Sequence, residues 1–246
     1  MTVTVAAAVP EMVLAALADV TDPELDEPIT ELGFVRSVIL DDTGVEVHLR
    51  LPTAFCSPNF AYLMASDALD AMRGVDDVGD ARVCLDDHHD SDKINAGLAA
   101  DAGYVGTFGV EAQESLDDLR RTFLRKAHTA AMERCVTGLL RRGTLDETDL
   151  THLMLRDLPE GKDKAALMRR RFDIGLSMCP NSRVLVGEDG HALAPEAVPM
   201  RLRFARSVRI SMEGNSHFCR GLLATRYDDG GQTTPQIIDM RTGVNR

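Results

Sequence analysis

Long apolar stretches are missing from this 246-residue chain. No run approaches the roughly 20 residues needed to span a bilayer, so a membrane-spanning helix is not expected. A basic leader is missing too: Met1-Thr2-Val3-Thr4-Val5 opens only a short apolar stretch, and residues 1–9 are expected to be a disordered lead-in, not a signal peptide. Cysteine is scarce, with five residues and no framework spacing. That excludes a disulfide scaffold and fits a reducing, cytoplasmic setting. There is no phosphate-cradling glycine loop, no His-Glu-x-x-His and no nucleophile elbow, and no internal repeat or low-complexity block. The expectation is therefore a protein that is not an enzyme.

Basic residues are few in the first half. Residues 1–110 hold 20 Asp/Glu against 5 Lys/Arg, net −15, whereas residues 111–246 are net +3. This asymmetry points to two units with different surfaces. The acidic one is repelled by phosphate backbones and anionic membranes, and the overall charge of −12 argues against nucleic acid as a partner of either.

What is present reads as an α+β chain: a small two-layer α-β-β-α-β domain over residues 10–88, a connector over 89–110, a mainly helical domain over 111–228 and a mobile tail over 229–246. Pro10 to Val20 has helical spacing, with Pro10 in the first turn, and stops at Thr21-Asp22-Pro23. Phe34–Leu40 and Val45–Leu51 read as strands. In the second, Val45, Val47, Leu49 and Leu51 point one way and Glu46, His48 and Arg50 the other. Ser57-Pro58 starts a helix with a stripe of Phe60, Leu63, Met64, Ala68, Ala71 and Met72, ended by Gly74. Ala81, Val83 and Leu85 form a last short strand.

Cys56 then lies one position before a helix N-cap, where unpaired N–H groups and the helix dipole favour a thiolate. A thiolate binds iron or zinc or exchanges sulfur. A small apolar filler at a strand end is the other reading of Cys56. Asp22 can approach the same end of the sheet, or simply start the turn at Pro23.

The run Asp22-Pro23-Glu24, then Leu32-Gly33 leading into a strand, then Thr53 and Cys56 at the head of the second helix, resembles the SufT/PaaD-like metal–sulfur cluster assembly domain. The resemblance covers about a third of the chain. It departs from the pattern in the two residues between Thr53 and Cys56, in Ser57 after the cysteine, and in lacking a paired-cysteine zinc module downstream. It implies assembly or delivery of a metal centre, with Cys56 and Asp22 as metal-site residues. Iron or an iron–sulfur cluster would be held transiently and none tightly. The whole arrangement is similar to accessory proteins of actinobacterial propane-type di-iron monooxygenases. That likeness implies a hydroxylase subunit as client, with a chaperonin or cluster scaffold as a further partner. A folding chaperone that carries no metal is the alternative.

Further potential ligands are scattered. Asp86-Asp87-His88-His89-Asp90-Ser91-Asp92 offers His88 and His89, although adjacent residues in an extended segment point to opposite faces. Its other reading is a solvated acidic loop, followed by an irregular stretch over 95–110. His217, Cys219 and Cys179 can supply soft ligands, or fill core and interface positions. Cys56 as a nucleophile with His48 or His88 as base lacks an evident orienting partner.

From Glu111 the pattern is helical, through Leu116, Leu119, Phe123, Ala127 and Ala130 to a stop at Gly143. Thr144 with Glu147 suggests a capping box for a helix bearing Leu150, Leu153, Met154 and Leu158. Lys162–Ile174 reads as a basic helix whose Arg169-Arg170-Arg171 run is solvated or docks an acidic partner. Residues 183–193 suggest a small hairpin, and Met200–Met212 is open between helix and strand.

Overall fold

The computed structural model describes residues 3–112, 116–143, 145, 149–187, 189–228 and 233–245. In chain order the elements are α1 Val3–Leu17, β1 Thr21–Asp22, β2 Glu27–Pro28, β3 Val35–Leu40, β4 Gly44–Arg50, α2 Pro58–Arg73, β5 Asp80–Asp86, α3 Ser91–Ala99, α4 Gly103–Phe108, α5 Leu116–Arg141, α6 Lys162–Asp173, α7 Val198–Tyr227, β6 Gln236–Asp239 and β7 Val244–Asn245. The fold is α+β. Two compact units divide it: Met1–Leu116 together with Asn215–Arg246, and Asp117–Gly214.

The first unit is built on a five-stranded sheet of order β5-β4-β3-β6-β7. β3 and β4 are antiparallel, while β4 pairs β5 and β3 pairs β6 in parallel. Strict alternation in β4 buries Val45, Val47 and Leu49. These pack with Val13 and Leu17 of α1 and with Ala65, Ala68 and Met72 of α2, in one core. Each fully buried aliphatic side chain there contributes roughly 1.5–3 kcal/mol. Leu32-Gly33 makes the turn into β3, with Gly33 at φ 76°, a left-handed conformation that side chains disfavour. α2 starts after Ser57 with Pro58 in its first turn and ends at Gly74, as the sequence predicts.

Several expectations are corrected. Residues from Val3 onward are not a lead-in but the start of α1, and Pro10 lies inside that helix. Val9, Val13 and Leu17 are all buried, and this continuous stripe offsets the backbone bond that proline removes. Arg50 is buried instead of outward, its Nε donating to Gly33 O at 3.1 Å beneath the Tyr227 ring.

The connector over 89–110 is two helices, because Ile94 and Leu98 lie four residues apart and both enter the core. Gly97, one of the glycines that made the stretch look irregular, admits the Thr107 side chain: a Cβ there would meet Thr107 Oγ1 at 2.0 Å. Tyr104 and Phe108 of α4 meet Tyr62 of α2 at ring separations of 5.4 and 6.0 Å.

The tail after 228 is not simply mobile, since β6 pairs along β3 from Ser37 to Leu40. Nor does the second unit reach residue 228. From Asn215 the chain belongs to the first unit, where Leu223 joins the core and Arg226 donates to Leu51 O at 2.9 Å.

In the second unit α5, α6 and the first part of α7 surround Met132, Val136, Leu139, Leu150, Leu153, Leu167 and Val184. α5 ends at Arg141 before Gly143, and α6 matches the expected basic helix. Thr144 and Glu147 lie outside the described residues. The helix expected over Leu150–Leu158 is instead a turn at 149–152, a single bridging residue at Met154 and a short 3-10 turn, Leu155–Asp157. Leu155 N and Val184 N bond Ser182 O and Leu153 O, so two irregular segments pair. Arg170 and Arg171 are buried and not solvated. Arg171 Nε donates to Ser177 O at 2.8 Å and ties down the loop after α6. Among the described residues, the expected hairpin is a bridge from Val186 to Ala192 with a Gly187 N–H bond to His191 O, and not a pair of strands. Met200–Met212 resolves as helix within α7.

Candidate functional site

Asp22 ends β1, and its Oδ1 accepts the backbone N–H groups of Glu24 at 2.8 Å and Leu25 at 2.9 Å. It is therefore a turn starter, as one reading of the sequence had it, but a buried one. Burial pushes its carboxyl up to about 6, and the two backbone bonds pull the other way without prevailing. A surface turn would not carry that penalty.

Cys56 follows β4 in the turn before Ser57, half-buried against the core of the first unit. Thr53 Oγ1 lies 3.5 Å from its Sγ. The same oxygen accepts Phe55 N–H at 3.2 Å, which leaves the hydroxyl proton free to turn toward the sulfur. The turn is braced from the segment after β5: His88 Nε2 donates to Cys56 O at 2.8 Å while His88 Nδ1 accepts Asp90 N–H at 3.1 Å. Both ring nitrogens of His88 are thus committed to backbone, and it holds the cysteine loop in place. His89 N–H donates to Ala54 O at 2.9 Å, and its exposed ring lies 5.8 Å from that of Phe55. The two histidines point apart, one buried and one exposed, as alternation requires.

Cys219 comes from α7 and faces the same place. A cavity of about 140 Å³ is lined by Asp22, Cys56 and Cys219, with Phe34, Leu51 and Met64 among its apolar walls. Burial first, then the negative charges of Asp22, Cys56 and Glu24, together push the Cys219 thiol up to about 11. The last part of α7 is anchored to the β1–β2 hairpin that bears Asp22: Asn215 Nδ2 donates to Glu24 Oε1 at 3.3 Å, and Arg220 bonds Glu27 and Glu31 O. His217 is exposed on the same helix, and Cys179 is an exposed cysteine of the second unit. Neither lines this cavity.

Two thiols and a carboxylate in a small apolar-walled cavity are soft and hard donors that suit iron or zinc. Among the described residues, however, the three-ligand group whose donor atoms all lie within 4.8 Å of one another is a different one, Glu46, His48 and Cys84 on the sheet. Asp22, Cys56 and Cys219 share the cavity lining without forming such a group. The sequence singled out Cys219 but joined it with Cys179 and His217. No local pattern links it to Cys56, because the pairing depends on α7 returning to the first unit. Glu46, His48 and Cys84 were missed as a group, although the outward alternation of β4 already placed the first two on one face.

No curated protein and no solved structure matches the chain. Residues 10–84, less than a third of the 246, match the family described as iron-sulfur cluster assembly protein. This matched segment contains β1 to β4, α2, the greater part of β5 and both Asp22 and Cys56, and it supports a role in iron–sulfur cluster assembly.

Proposed function

We propose that this protein takes up iron, or an iron–sulfur precursor, as a transient cargo on Cys56 and Cys219 beside Asp22, and passes it to a client metalloenzyme. The single observation that carries the reading is the meeting of two thiols and a buried carboxylate in one cavity. Two cysteines cannot close a tetrahedral iron site, so the client, a second copy or a small thiol completes it. Such an incomplete set holds cargo loosely enough to surrender it. The protein acts as a carrier and not as an enzyme.

The client is a multicomponent di-iron monooxygenase hydroxylase, following the resemblance of the chain to accessory proteins of such enzymes. The second unit exposes Phe172 on α6 and Phe204, Ile210, Arg203 and Arg206 on α7, a surface composition of the kind that docks partners. That surface also favours a second reading, a folding chaperone that holds the hydroxylase without carrying metal.

Anaerobic loading with ferrous iron and sulfide tests the carrier reading. The unmutated protein gains thiolate-to-iron absorption that Cys56→Ala lowers more than Cys219→Ser does, with client binding retained by both. Full client activation by Cys56→Ala would reject metal transfer and leave the chaperone reading. Iron content after anaerobic co-purification with the hydroxylase discriminates the two directly.

A further inference from the structure

The outer face of the sheet carries a second group of ligands, independent of the cavity and of the function proposed for it. β4 and β5 run parallel in a register that sets His48 opposite Cys84 and Glu46 opposite Arg82. Alternation puts Glu46, His48, Cys84 and Asp86 on the face turned away from the core. Glu46 Oε, His48 ring nitrogen and Cys84 Sγ all lie within 4.8 Å of one another.

The hydrogen bonds orient these groups as a metal site would. His48 Nδ1 lies 2.9 Å from Asp86 Oδ1, so the N–H on that nitrogen points at a carboxylate, and Nε2 is turned to Glu46 Oε1 at 3.1 Å. A ring fixed by a carboxylate on one nitrogen and presenting the other is the arrangement by which proteins orient histidine toward a metal. Arg82 Nε holds Glu46 by the other oxygen, Oε2, at 3.2 Å, and Arg36 holds Asp86 by Oδ2 at 3.0 Å. Each carboxylate therefore has its remaining oxygen aimed at the imidazole. Two ligands on one tetrahedral ion with bonds of about 2.0 Å stand about 3.3 Å apart, close to the separation of Nε2 and Oε1. Cys84 is half-buried and not disulfide-bonded, and burial with the charges of Glu46 and Asp86 raises its thiol, so that an added cation is what would make it a thiolate.

We infer that Glu46, His48 and Cys84 bind a divalent transition-metal ion of borderline softness, Zn(II) first among them, with Asp86 as the outer partner of His48 and the fourth position left to water. The ion replaces the proton shared between His48 Nε2 and Glu46 Oε1, and it displaces the Cys84 proton to solvent. It links edge strand β5 to β4 on the outer face. Nitrogen, sulfur and oxygen donors together disfavour Mg(II) and Ca(II).

The full chain carrying Cys56→Ser and Cys219→Ser separates this site from the cavity. Titrated with Co(II), it should take up one equivalent and develop thiolate-to-cobalt absorption with the intense visible bands of four-coordinate cobalt, and Zn(II) should bleach them. Adding Cys84→Ser should remove the thiolate band. His48→Gln should weaken binding at least tenfold in competition with a chromophoric chelator, and Asp86→Asn roughly 10–100-fold, as loss of an outer partner does. Circular dichroism and the apo melting temperature establish that each variant is folded. Absence of a thiolate–cobalt band in the folded Cys56→Ser/Cys219→Ser protein overturns the assignment, as does a band that survives Cys84→Ser. Either result leaves iron loading by the unmutated cavity to be judged on its own.

Discussion

At the scale of single residues, Asp22 shows how a common turn former becomes part of a site. Its folded pKa of about 6 lies above the ordinary 3.8 because burial disfavours the charge. Stability from this group is therefore complete below about pH 3.8 and is lost as pH rises through about 6. Two units at roughly 1.4 kcal/mol each amount to about 3 kcal/mol at neutral pH. Asp22→Asn keeps an oxygen to accept the Glu24 and Leu25 N–H groups and carries no charge. The variant should be more stable than the parent at pH 7 by up to about 3 kcal/mol and match it near pH 4. Urea unfolding at the two pH values measures this, and identical pH dependence in both proteins would show that the carboxyl is not strained by its burial. The cavity sets this carboxyl beside the Cys56 and Cys219 thiols, where its charge would compensate a bound cation. Cys56 was legible because a serine–proline helix start follows it. Its meeting with Cys219 was not, since Phe218 and Arg220 beside that cysteine carry no sign of the loop it reaches.

At the scale of elements, legibility followed the strength of local patterning. β4 and α2 were readable because alternation in one and punctuation by Ser57, Pro58 and Gly74 in the other agree with tertiary burial. α3 and α4 were hidden by glycines of two kinds: Gly103 and Gly109 take left-handed conformations at the ends of α4, while Gly97 inside α3 makes room for a neighbouring helix. Gly97→Ala tests that distinction. The added methyl meets Thr107 through Cβ and both γ atoms, at 2.0 to 2.8 Å, so the variant should lose about 1–3 kcal/mol. A thermal melt unchanged by the substitution would mean that the two helices yield without cost. The path over Leu150–Leu158 misled for the opposite reason. Its leucines have helical spacing and are buried, but main-chain bonds to the 182–184 segment decide their conformation. β6 was invisible for want of length: four residues of a parallel edge pairing carry almost no pattern of their own.

At the scale of the whole molecule, regional charge was informative about composition and misleading about boundaries. The acidic first half does form most of one unit, yet basic residues late in the chain, Arg220 and Arg226, complete that unit by bonding Glu27, Leu51 O and Asp87 O. Deleting residues 228–246 should therefore do more than trim a tail. It strips β6 from β3 and leaves the N–H and C=O groups of that strand open to other chains. The shortened protein should melt at lower temperature and aggregate on warming, as followed by circular dichroism and light scattering. A melt and solubility equal to those of the full chain would mean that the β3–β6 pairing contributes nothing to the first unit.

Because β6 pairs with a strand about 200 residues earlier in the chain, the first unit is closed by contacts between its two sequence extremes. Such pairings meet the entropy of closing a long loop before any contact rewards it, so this unit should fold more slowly than a domain of its size built from local contacts.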